Sequence, residues 1–257
     1  MNQKIEQLTA ADFEEAINFM NLSFGTTGIP HDFARYLPAL YQPTDRDMGY
    51  QFALRRDGRI CAMAGLFPIV LCIADREIRI AGIGGVSTHP EFRGEGLMTV
   101  LMRHCVALMR QQGYPMSYLG GQRQRYLYFG FERCGRELSF TVSKANVRHH
   151  FNNSSGISFE PIEAGDERIA TISLMHAKQL VHCERAPDKE YHALIGWKRR
   201  PYAATDEDGR MVGYLVAANE SNQVVELVAI DDETAEKMIS VWNKRQKSDE
   251  IVFNFQP

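Results

Sequence analysis

The residues best suited to chemistry are Arg93-Gly94-Glu95-Gly96-Leu97-Met98, which follow an apolar run ending in Val86-Ser87-Thr88 and open an amphipathic helix. This layout suits a pyrophosphate. The first turn of a helix holds amides with no intrahelical partner, and the helix dipole adds partial positive charge there. Gly94 and Gly96 lack a Cβ, so the backbone can turn sharply and approach phosphate oxygens, while Arg93 brings a fixed charge. Two familiar nucleotide sites do not fit. A P-loop requires a Lys after its last glycine, and none follows Gly96; the glycine spacing of a dinucleotide fingerprint is also missing.

The elements that must position this turn can be read from periodicity. Leu97, Val100, Leu101, His104, Cys105, Leu108 and Met109 recur at helical spacing, with Gly113 and Pro115 as the stop. Upstream, residues 50–55 and 59–73 flank Asp57-Gly58, a hairpin turn pair, and Ala74-Asp75-Arg76 reverses the chain into a strand over 77–88. Residues 116–119 form a further strand, a short helix falls near Tyr126, and 132–142 reads as the strand that ends this half. At the start, a strand over 5–8 leads to a helix capped by Thr9 and Asp12, with Phe13, Ala16, Ile17 and Met20 as its apolar face and its end near Gly25. A loop over 24–30 and a second short helix over 33–41 follow. The expected fold class is α/β (α+β), a mixed and mainly antiparallel sheet flanked by helices.

Residues 144–155 are polar and read as a linker, which divides the chain into units 1–145 and 156–257. The second unit repeats the order: strand 157–162, helical segments over 166–197, strands 202–205 and 211–217 across Asp208-Gly209, strand 224–230, helix 234–242 and strand 251–255. Where a phosphate cradle should recur stands Asp231-Asp232-Glu233, whose charges repel an anion.

Composition narrows the class. A length of 257 residues supports two modest cores, and a net charge of -3 gives no general attraction to nucleic acid or anionic membrane. The five cysteines, Cys61, Cys72, Cys105, Cys134 and Cys183, include no Cys-x-x-Cys pair, which fits reduced, cytoplasmic chemistry. The first residues carry no apolar leader, and no segment approaches the roughly 20 apolar residues of a membrane span. His149, His150, His176, His182 and His192 lack metal-ligand spacing, so no metal is expected, and Lys198-Arg199-Arg200 reads as a solvated helix end.

The Arg93–Met98 segment resembles Arg-x-x-Gly-x-Gly/Ala, the acyl-CoA signature of the GNAT superfamily of N-acetyltransferases, with Met98 in place of the last small residue. Tyr126-Leu127-Tyr128-Phe129-Gly130-Phe131 is similar to the superfamily's Tyr-x-x-x-Gly-Phe segment. The form Arg-Gly-Glu-Gly-Leu-Met, with Gly113-Tyr114-Pro115 after it, looks like the enhanced-intracellular-survival (Eis) branch, whose members carry tandem GNAT-like units and a third, sterol-carrier-like domain without counterpart here.

The resemblance implies acetyl-CoA as cosubstrate, held by Val86, Ser87, Thr88, Arg93, Gly94, Glu95, Gly96, Leu97 and Met98. It implies that the strand over 83–88 parts from 116–119, so that pantetheine adds to it through the backbone of Val86 and Thr88. It also implies Tyr126 as the acid that protonates the leaving thiolate; a phenol, with its pKa near 10, is protonated at neutral pH. The second unit, lacking the cradle, should not bind CoA and would wall the acceptor site or form an oligomer surface; the resemblance implies a homo-oligomer. Phe24, Phe33, Tyr36 and Tyr41 suggest an aromatic acceptor pocket, with Asp45 and Asp47 to attract a cationic amine. Core packing accounts for these aromatics equally well. The base is open between Glu184, His182 and water. The acceptor is open between an aminoglycoside-like polyamine, another small amine and a peptide amine, and a non-catalytic acyl-CoA-binding or regulatory module stands as the alternative.

Overall fold

The structure is a computed structural model that describes residues 4–25, 31–135, 138–150, 156–218 and 222–255. It divides into two compact units, Met1–Cys134 and Gly135–Pro257. In the first, β1 (Ile5–Gln7), α1 (Phe13–Phe24), α2 (Phe33–Tyr36), α3 (Asp45–Met48), β2 (Gln51–Arg56), β3 (Arg59–Ile73), β4 (Arg76–Thr88), α4 (Leu97–Gln111), β5 (Ser117–Leu119) and α5 (Arg123–Tyr126) follow one another. The strands lie in the order β1-β2-β3-β4-β5, antiparallel except for the parallel β4–β5 pair.

Local chemistry explains these elements. The amide and hydroxyl of Thr9 donate to Asp12 ahead of α1, and Gly25 closes that helix by donating to Asn21. Asp57 and Gly58 both hold positive φ, which gives the β2–β3 hairpin its right-handed twist. Alternation along β2 splits the core between the two faces of the sheet. Phe52 and Leu54 pack with Leu97, Leu101 and Cys105 of α4, whereas Ala53 joins Ala16, Met20 and Phe67 under α1.

The second unit comprises β6 (Leu138–Ser143), α6 (Lys144–His150), β7 (Ser158–Pro161), α7 (Arg168–His176), β8 (Val181–Cys183), α8 (Glu190–Leu194), β9 (Arg199–Thr205), β10 (Met211–Ala218), β11 (Gln223–Ala229), α9 (Asp232–Arg245) and β12 (Glu250–Phe255). Six of its strands form a sheet in the order β6-β12-β11-β10-β9-β7. Three expectations need correction. The strand assigned to the end of the first unit is β6, which pairs with β12 through Val142 and Ile251, and the buried Asn243 side chain donates to the Val142 carbonyl at 2.7 Å. The boundary therefore falls near residue 134. Residues 144–150 of the supposed linker form a helix that starts where the Ser143 hydroxyl and Asn146 side chain bond each other, and Val147 is buried; residues 151–155 lie outside the described residues. The helical stretch over 166–197 is broken by β8, and Arg199 and Arg200 begin β9 rather than ending a helix.

Among the described residues no helix is long and apolar enough to cross a membrane.

Candidate active site

The glycine turn ahead of α4 is built as its residue types require. Gly94 and Gly96 hold φ of 84° and 78°, in the left-handed region that side-chain-bearing residues rarely adopt, and a Cβ on either would meet nothing within 4 Å. Their freedom of dihedral, rather than of space, is what the turn uses. Gly96 caps α4 without any side-chain hydrogen bond, and the first intrahelical bond runs from Val100 to Gly96 at 3.1 Å. The amides of Leu97 and Met98 precede that bond at an uncapped helix start with open space around the turn. A diphosphate fits such a cradle.

The side chains flanking the turn are more constrained than expected. Arg93 Nη2 donates to the Ser23 carbonyl at 3.1 Å in the last turn of α1. A guanidinium has five N–H donors, so this anchor leaves its charge beside the turn. Glu95 turns away from the cradle and pairs with Arg56 at 2.6 Å, and Arg56 lies over the Phe92 ring at 4.7 Å. That hydrogen bond holds the Glu95 carboxyl below its ordinary range. The acid in the glycine turn is thereby neutralised by Arg56.

Above the turn, β4 opens on its β5 side. The β4–β5 ladder covers only Ala81, Gly82 and Ile83, opposite Ser117, Tyr118 and Leu119. On the other edge β4 stays paired to β3, but its register slips by one residue between the Gly65–Gly84 and Met63–Ser87 pairs. The extra residue is a bulge at Gly85–Val86, where Gly85 has φ of 61° and the Ser87 hydroxyl donates to the Gly85 carbonyl at 2.9 Å. Val86, Ser87 and Thr88 thus lie beyond the last β5 pair, on an edge to which a ligand chain can add.

Tyr126 ends α5, half-buried against the α4 face of the core, with its ring edge-on to Phe131 at 6.4 Å. Its hydroxyl makes no hydrogen bond among the described residues. Burial raises its pKa, outweighing the opposing charge of Arg125, so the phenol keeps its proton at neutral pH. Gly121 packs beneath it: a Cβ there would lie 2.5 Å from Tyr126 Cε2 and 2.9 Å from Leu119 Cδ2.

The expected acceptor residues resolve differently. Phe24, Phe33, Tyr41 and Phe67 form a continuous aromatic chain, with ring centroids 4.9, 6.1 and 6.1 Å apart, in which Phe33 and Tyr41 are buried. Asp45 and Asp47 serve local structure. Asp45 accepts from the Ala10 amide at 2.9 Å, and the nearly inaccessible Asp47 accepts from the Thr44 hydroxyl at 2.9 Å. His182 Nδ1 lies 2.9 Å from the Gln179 carbonyl, in the strand β8 rather than on a helix face. A surface hollow of about 480 Å³ between Tyr50, His104, Leu108 and Tyr114 lies along the C-terminal half of α4, away from the cradle. In the second unit, the start of α9 is closed by its own chain, since Asp231 accepts from the Thr234 amide at 2.7 Å. Sequence reasoning missed Gln51, fully buried beside the bulge; as a polar residue in a strand it carried no signal of burial.

A mainly antiparallel sheet that parts beside an uncapped, glycine-turned helix start gives the first unit the fold of a GNAT-type domain. The chain belongs to the acetyltransferase (GNAT) domain family, whose pattern matches residues 4–134. Its fold is similar to that of a conserved protein of unknown function from Enterococcus faecalis (TM-score 0.77, 13% identity, covering 100% of this chain and 66% of that one). It is also similar to a GCN5-related N-acetyltransferase from Kribbella flavida (0.71, 19%, 100% and 64%) and to Eis1 from Mycobacterium abscessus (0.67, 15%, 99% and 66%). The chain thus spans about two thirds of the length of these structures. No curated protein matches it in sequence.

Proposed function

We propose that the first unit transfers an acetyl group from acetyl-CoA to a primary amine by direct attack in a ternary complex. The observation that carries this reading is the uncapped start of α4 behind Gly94 and Gly96, next to the edge of β4 left unpaired after Ile83. The amides of residues 94–98 and the Arg93 charge hold the diphosphate, and the backbone of Val86 and Thr88 orders the pantetheine arm. A neutral amine nitrogen then attacks the thioester carbonyl carbon. The C–N bond forms as the C–S bond breaks, Tyr126 gives its proton to the departing sulfur, and the proton lost by the amine leaves through water.

The acceptor class is a small polyamine of aminoglycoside type or a peptide amine, and the kinship is with the Eis-like branch. The second unit does not bind CoA, because Asp231 occupies the helix start where a phosphate would sit. Calorimetry with acetyl-CoA, followed by thiol release across an amine panel, tests the reading. Binding with thiol release supports catalysis. Tight binding with no release from any amine favours an acyl-CoA-binding module, and absence of binding overturns both.

A further inference from the structure

Three side-chain tips converge beneath the β4 bulge. From the point a Cβ on Gly85 would occupy, Tyr41 Oη lies at 2.9 Å, Met20 Sδ at 3.3 Å and Gln51 Oε1 at 3.9 Å. The Gln51 carboxamide also lies over Gly65, where a Cβ would be 2.8 Å from its oxygen, and Phe67 covers Gly65 and Gly84. Glycine at 65 and 85 is therefore what lets a polar amide and a phenol reach the bulge from below.

These groups lack partners. Gln51 is fully buried, and neither its nitrogen nor its oxygen makes a hydrogen bond. Tyr41 is 2% exposed, and its hydroxyl has no partner among the described residues. An unpaired buried polar group costs about 1–3 kcal/mol, and the carboxamide has two. A chain that needed only packing would place Leu or Met here. Because the amide can be turned end for end, its N–H₂ can face the bulge as readily as its oxygen. Two donors, an O–H and an N–H, then point at one spot beside a residue with no side chain.

We infer that Tyr41 and Gln51 are donors to the carbonyl oxygen of the bound acyl thioester where it meets the bulge at Gly85. The inference rests on the acetyl-CoA reading above and extends it to side chains outside the family's motifs. Neither residue gives up a proton or forms a covalent bond; each strengthens its hydrogen bond as negative charge grows on the oxygen during attack. Met20 and Phe67, the apolar neighbours, keep water from competing.

The test uses the full chain with acetyl-CoA labelled with ¹³C at its carbonyl, and unacylated CoA as control. The carbonyl stretch of the bound thioester is expected at lower frequency than in free acetyl-CoA, and Tyr41→Phe and Gln51→Leu should each return it towards the free value. CoA affinity should stay within about twofold, while turnover with any acceptor found by thiol release falls about a hundredfold. Gln51→Leu should also melt at or above the wild-type temperature, since it removes unpaired polar groups from the core. If CoA binds and both variants keep the wild-type frequency, or if Gln51→Leu loses stability while the frequency is unchanged, the carboxamide is a structural, water-bridged group and the inference falls. If the wild type binds no CoA, the underlying reading falls with it.

Discussion

The ring of Tyr126 fills the space that a side chain at Gly121 would need, 2.5 Å from the position of its Cβ. The residue lies just after β5, so the strand that diverges from β4 also sets where the phenol stands. Gly121→Ala should push the ring aside. A displacement of about 1 Å at a catalytic group can cost 10²-fold in rate, so turnover should fall between tenfold and a hundredfold. Acetyl-CoA affinity, measured by calorimetry, should change little; a variant with wild-type turnover would detach Tyr126 from the chemistry.

Tyr126→Phe removes the proposed acid while keeping the ring contact with Phe131. Turnover should drop at least tenfold with the KM for acetyl-CoA retained. Burial raises the phenol's pKa, so the protonated, active form persists to higher pH than in a free tyrosine. The alkaline fall in kcat should therefore come above pH ~10 in the wild type and be absent in the variant. A fall well below that pH, retained in Tyr126→Phe, would assign it to another group.

In the second unit Glu226 receives Arg185 at 2.7 Å and the Tyr214 hydroxyl at 2.5 Å, with His176 Nδ1 at 3.4 Å. Burial by itself would raise its pKa, but these partners outweigh burial and hold it at about 2 against an ordinary 4.5. A depressed carboxyl stabilises the fold above its unfolded pKa and loses that contribution as the pH falls through the folded one. Stability should hence decline on acidification from about pH 4.5 towards 2. Glu226→Gln should cost about 3 kcal/mol at neutral pH, leaving Arg185 without its strongest partner, and flatten the acid dependence in thermal melts. An unchanged acid limb would refute the linkage.

Legibility in the sequence followed the range of the forces involved. The Gly94–Gly96 turn, the α4 stripe and the Asp57-Gly58 hairpin are set by neighbouring residues, and all three stand as read. The boundary near residue 134 was hidden because β6 looks like any terminal strand; its allegiance is decided by β12, over 100 residues later. The acids at 45 and 47 look like an attractive field for a cation until Thr44 and the Ala10 amide claim them. Gln51 was invisible because its burial depends on glycines in two other strands.

The diphosphate cradle itself is tested most directly by titrating acetyl-CoA calorimetrically into the wild type and into Gly96→Val, a β-branched residue that φ of 78° strongly disfavours. Wild-type binding at one site per chain, weakened at least tenfold in a variant that still melts cooperatively, a few degrees lower for the strain, is the predicted result. Equal affinity in both proteins, or no heat from either, would contradict it.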